Sequence, residues 1–165
     1  MFVTGPAEEH ATKAELYEAL AGQFAALIAG ERDGIANAAN LSALLFTSLP
    51  NLNWAGFYFL RANSELVLGP FQGKPACVRI PVGRGVCGTA VERAATVLVD
   101  DVHAFPGHIA CDAASRSELV VPLLREGRVI GVLDLDSPIP SRFDAEDREG
   151  IERLAAIYAE GSDPV

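Results

Sequence analysis

The chain has 165 residues, half of them apolar and 21% charged, which is one domain's length with enough apolar side chains for a core. Its 22 Asp and Glu against 13 Lys and Arg leave a net charge of −9, a balance that argues against nucleic acid and anionic membrane surfaces as partners. No apolar run reaches the roughly 18–20 residues of a membrane span, and no basic stretch leads into an apolar block at the start, so the expected address is the cytoplasm.

In chain order, Leu16, Leu20, Phe24 and Leu27 recur at helical spacing between Ala7 and Gly30, and Ile35, Ala38, Leu41, Leu44 and Leu45 repeat the pattern. Two helices therefore come first, with Gly30 and Gly34 at the break between them. Beyond Leu49-Pro50-Asn51 the texture changes. Trp54 to Phe59 and Leu66 to Phe71 read as a hairpin around Ala62-Asn63-Ser64. Val78 to Ile80 reads as a short strand closed by Pro81, after which Gly83-Arg84-Gly85 leads into a helix from Val86 to Ala95.

Thr96 to Val102 is β-rich, and His103 to Ser115 lacks periodicity, so it is expected to be a long ordered loop, the kind that usually carries function. Glu118 to Leu124 and Arg128 to Asp136 form a second hairpin around Glu126-Gly127. Asp144 caps a last helix whose apolar face holds Ile151, Leu154 and Tyr158. This order predicts an α+β fold with helices packed on an antiparallel sheet.

Three cysteines, Cys77, Cys87 and Cys111, cannot all pair within one chain, so they are core filler or chemistry. Cys87 opens a helix and Cys111 lies in the long loop; a helix N-terminus lowers a thiol pKa. His103 and His108 are the histidines a metal could add to them, but no Cys-x-x-Cys spacing is present and no metal site is expected. Asp134 and Asp136 are two apart on a strand and share a face. That pattern reads equally as a solvated face or as carboxyls in a pocket, where one keeps a proton and acts as a general acid. The Gly83-Arg84-Gly85 loop could receive a carboxylate or phosphate at the helix N-terminus.

Asn53-Trp54-Ala55-Gly56-Phe57-Tyr58, Leu68-Gly69-Pro70-Phe71-Gln72-Gly73, Cys77-Val78-Arg79-Ile80-Pro81 and Gly83-Arg84-Gly85-Val86-Cys87-Gly88 resemble the free methionine-(R)-sulfoxide reductases. So do Phe105 to Cys111, Ser117 to Pro122 and Gly131 to Ser137. The resemblance spans about residues 10–160 of a single domain over 1–165. It implies a stand-alone GAF domain with a central antiparallel sheet, acting on free L-methionine (R)-sulfoxide without a cofactor.

By that resemblance Cys111 attacks the sulfoxide, Cys77 resolves the resulting sulfenic acid as a disulfide, and Cys87 can join the exchange. Glu118 is the proton donor with Asp136 assisting. Asp134, with Asp100 or Asp101, pairs with the substrate ammonium; Trp54 covers the S-methyl group beside Tyr58, and backbone N–H groups near Gly85 and Cys111 hold the carboxylate. A thioredoxin-type dithiol is the implied reductant, and a homodimer is left open as the assembly. The alternative is a non-catalytic GAF module that binds a small ligand such as a nucleotide.

Overall fold

The computed structural model describes residues 12–62, 64–109 and 112–165. The first predicted helical residues from Ala7, the turn residue Asn63, and Ala110 with Cys111 lie outside them. Helix α1 (Lys13–Leu27) starts at a capping box: the Thr12 hydroxyl accepts from the Glu15 N–H and the Glu15 carboxylate accepts from the Thr12 N–H. Helix α2 (Gly34–Ser48) is capped by Asp33, whose carboxylate accepts from the Ala36 N–H at 2.8 Å. Among the described residues, no helix is long and apolar enough to cross a membrane.

The strands are β1 (Trp54–Arg61), β2 (Glu65–Gly73), β3 (Arg79–Pro81), β4 (Val97–Val99), β5 (Ser117–Arg125) and β6 (Arg128–Ser137). They form one antiparallel sheet in the order β3-β2-β1-β6-β5-β4. The β5–β6 hairpin turns through Glu126 and Gly127, both at positive φ, which matches the right-handed twist of the flanking strands. The predicted strand from Thr96 to Val102 stops at Val99. Asp101 ends it by capping a 3-10 turn over Val102–Ala104, its carboxylate accepting from the His103 N–H at 3.0 Å.

Alternation along β1 sorts side chains between two layers. Ala55, Phe57 and Phe59 face α1, α2 and helix α4 (Ala145–Gly161), where Phe24, Leu41, Leu154 and Tyr158 complete the main core. Trp54 and Tyr58 face the other way, toward helix α3 (Gly85–Arg93) and the segment after β4. On β6, Leu133 and Leu135 join the main core while Val132 and Asp134 turn to the α3 side. The candidate site residues Trp54, Tyr58 and Asp134 are thus sorted onto the face that the three long helices leave uncovered.

Candidate active site

Antiparallel register builds the site. Glu118 on β5 lies opposite Asp136 on β6, and Gly56 on β1 lies opposite Asp134. Glu118, Asp134 and Asp136 therefore converge on one cleft of about 520 Å³, open mouth included. Trp54 and Tyr58 form one wall, Gly85, Val86 and Cys87 at the start of α3 another, and Lys74-Pro75-Ala76 and His108-Ile109 the rim. Gly56 is required here, because a Cβ at that position would run into Phe71 and the Trp54 ring. Without it Trp54 stacks between Tyr58 and Phe71, at 5.8 and 5.2 Å, and its indole N–H donates to the Lys74 carbonyl at 3.2 Å.

The strand face that the alternation left open is not solvated. Glu118 and Asp134 are each 6% exposed. Burial, reinforced by the negative charge of Asp136, raises the Glu118 carboxyl well above the usual carboxylate range. Asp134 rises through burial and the Glu118 charge, and Asp136 through burial and the Asp134 charge. Three acids this close together each oppose the ionisation of the others. His108 Nε2 stands 3.6 Å from Glu118 Oε2. Burial lowers the His108 pKa and raises that of Glu118, which disfavours the charged form of each.

The cysteines differ from one another. Cys77 is half-buried beside the cleft and disulfide-bonded; the Tyr58 hydroxyl donates to its carbonyl at 3.0 Å. Cys87 is a free buried thiol that donates to Asp134 Oδ2 at 3.3 Å. A thiol pKa lowered by the α3 N-terminus is not what the structure has at Cys87. Burial, then the Asp134 and Glu118 charges, push it well up. Cys111, the expected attacking thiol, lies outside the described residues.

Not every expected residue reaches the cleft. Asp100 is exposed, and Asp101 turns outward to cap the 3-10 turn and to contact His103 Nδ1 at 3.0 Å. Neither lines the cavity; the acids that do are Asp112, Glu118, Asp134 and Asp136. His103 is likewise exposed and does not line the cleft.

Polar lining residues that the sequence reading did not single out are Lys74, Asp112 and Ser115, while His108 was considered only as a metal ligand. Asn53 behind them ties the long loop to β1. Its amide donates to Asp112 Oδ2 at 3.1 Å and to Ser115 Oγ at 3.0 Å, while Ser115 hydrogen-bonds Asp136. Lys74 approaches Asp112 at 3.5 Å. The only signal for them was the polar, aperiodic composition of the loop itself.

The GAF domain family pattern matches residues 39–161. The free methionine-R-sulfoxide reductase of Escherichia coli (strain K12) is 58% identical over 144 residues, covering 87% of each chain. The free methionine-R-sulfoxide reductase of Saccharomyces cerevisiae is 43% identical, covering 88% of this chain and 84% of its own. The X-ray structure of the Neisseria meningitidis free methionine-R-sulfoxide reductase in complex with its substrate superposes with a TM-score of 0.91 at 46% identity, over 96% of this chain and 95% of that one. The chain belongs to the free methionine-R-sulfoxide reductases, an oxidoreductase family built on the GAF domain.

Proposed function

We propose that this protein reduces free L-methionine (R)-sulfoxide to L-methionine by thiol chemistry. The observation that carries the reading is the convergence of the buried Glu118 and Asp134 and the partly buried Asp136 on a cleft walled by Trp54 and Tyr58. Such a site takes a cationic head group and an apolar, neutral sulfoxide end. It opposes phosphate, which disfavours a nucleotide-binding GAF module.

In this reading the Cys111 thiolate attacks the sulfoxide sulfur while Glu118, protonated by its burial, gives its proton to the sulfoxide oxygen. The oxygen ends on the cysteine as a sulfenic acid; the cysteine sulfur is oxidised, and the sulfoxide is reduced to the thioether and departs. Cys77 then attacks the sulfenic sulfur, an S–S bond forms, and water leaves. Cys77 in a disulfide and Cys87 as a free thiol support Cys77, rather than Cys87, as the resolving cysteine. A dithiol protein of thioredoxin type reduces the disulfide by exchange.

Asp134, assisted by Asp136, faces the substrate ammonium, and Trp54 covers the S-methyl group. The uncapped N-terminus of α3 at Gly85 receives the carboxylate. Cys87, a protonated thiol in the same cleft, enters the exchange only as a secondary partner.

Protein supplied with dithiothreitol or a thioredoxin system converts the free (R)-sulfoxide and leaves the (S)-epimer; no methionine with either reductant would overturn the reading. In a single turnover without reductant, Cys111→Ser releases no methionine, whereas Cys77→Ser releases up to one equivalent and stalls. The opposite pattern would exchange the two roles. Glu118→Gln slows the chemical step by roughly 10²- to 10⁴-fold.

A further inference from the structure

We propose that the exposed sheet edge around Cys77 is the docking surface for the dithiol protein that reduces this chain's disulfide, and that the incoming thiolate attacks Cys77 Sγ. The identity of that partner, a thioredoxin-type dithiol, rests on the reductase reading; the contact itself lies outside the substrate cleft.

Cys77 and Val78 lead into β3, the edge strand of the six-stranded sheet. The Val78 carbonyl accepts from the Leu68 N–H at 2.9 Å, so the chain already runs along β2 at this point. Such an edge can pair with an extended segment of a partner. Val78 is 62% exposed, the most exposed large apolar side chain among the described residues. It stands next in the chain to a sulfur that is half-buried and disulfide-bonded. One apolar anchor and a strand edge make a small surface, and transient redox encounters bury less than about 1,200 Å² in all.

Charge points to the same edge. The chain has a net charge of −9, yet residues 66–91 hold no Asp or Glu and include Lys74, Arg79 and Arg84. The side chains of Lys74 and Arg79 are 71% and 57% exposed. Arg79 meets Glu65 at 2.8 Å, while Arg84, exposed in the turn after β3, has no acidic partner among the described residues. The partner that fits is a dithiol protein with acidic groups around its reactive thiol, which the rest of this acidic chain repels. Ile109 and Asp112, the described residues flanking Cys111 in the chain, line the cleft, so an approach there competes with the substrate; Val78 does not line it.

The partner's thiolate forms an S–S bond to Cys77 Sγ. The bond from Cys77 to its disulfide partner, Cys111 in the proposed scheme, breaks, and the electron pair leaves on that sulfur. The second thiol of the reductant then attacks its own first sulfur and Cys77 leaves as a thiolate. The chain's disulfide gains two electrons, the dithiol becomes a disulfide, and its two protons end on the two released sulfurs.

The test follows reduction of the diamide-oxidised protein, without sulfoxide, by a thioredoxin system and separately by dithiothreitol. Val78→Glu is expected to lower kcat/KM for thioredoxin by roughly tenfold or more, and Arg79→Glu by roughly threefold. Reduction by dithiothreitol stays unchanged in both. Arg153→Glu makes the same charge change on α4 and alters neither rate. Thioredoxin with its second active-site cysteine replaced by serine is captured as a mixed disulfide, which mass mapping places on Cys77. A mixed disulfide on Cys111, an unchanged thioredoxin rate in Val78→Glu, or an equal loss in Arg153→Glu would overturn the docking surface. No sulfoxide enters this assay, so those results leave sulfoxide reduction standing, whereas the failure of that reading is a lack of methionine with dithiothreitol.

Discussion

Glu118 shows how much a single residue's chemistry depends on its surroundings. A glutamate on a strand ordinarily ionises near pH 4.3, but here burial and the Asp136 charge hold its proton. Its folded-state pKa is raised, so the stability this proton confers is fully present below the unfolded carboxylate pKa and is lost as pH rises through the folded value. Glu118→Gln keeps the shape and removes the titration. The variant is therefore expected to gain stability relative to the parent protein as pH is raised from about 4. Chemical denaturation of both proteins across pH measures this; a difference that stays constant would mean that Glu118 ionises normally. The two described cysteines make the same point. Cys77, half-buried beside the cleft, has entered a disulfide, while Cys87 among buried acids remains a protonated thiol.

At the scale of elements, the main core is held by how α4 docks on α1. Asp147, 1% exposed, closes the capping box with Asp144, accepts from the Tyr17 hydroxyl at 2.8 Å and from Lys13 Nζ at 2.7 Å, and meets Arg142 at 3.2 Å. Gly150, one turn on, has no side chain because the Tyr17 ring occupies that space. Lys13 also holds the Asp144 carboxyl down at about 2, so the cap stays charged at ordinary pH. Asp147→Ala removes a cap and leaves Arg142 without its carboxylate, at a cost of about 3 kcal/mol. Thermal unfolding should fall by about 6–12 °C, at roughly 2–4 °C per kcal/mol for a domain of this size. A fall under about 2 °C would show that the network carries little of the docking.

For the molecule as a whole, the cleft exists only because distant segments meet. β1 supplies the aromatic wall, the β5–β6 hairpin the acids, α3 an uncapped N-terminus, and Lys74 to Ala76 and His108 to Ser115 the rim. In the proposed reaction this enclosure selects a free amino acid, whose ammonium meets acids left without a protein cation. N-acetylmethionine (R)-sulfoxide lacks that charge and should lose roughly 10²-fold or more in kcat/KM, the effect of leaving a buried acid unmatched. Equal turnover of the acetylated compound would place the ammonium outside the acid cluster.

Local pattern alone was enough for most of the elements, since helical spacing, turn residues and the Asp144 cap each act within a few residues of chain, but it carried the strand from Thr96 past its end at Val99. It was also enough to place Asp134 and Asp136 on one face of a strand. It left undecided whether that face met water, because burial is settled by α3 and the loop folding over it, from positions up to about 50 residues away in the chain. The same limit explains Asp101, which reads as an acid near a strand end yet turns outward to cap a 3-10 turn. It explains Asn53 and Ser115 as well, whose partners lie 59 to 62 residues apart along the chain. Backbone propensity is a short-range property that composition carries; desolvation and charge proximity are long-range, and only the packed sheet decided which carboxyls keep their protons and which thiol stays reduced.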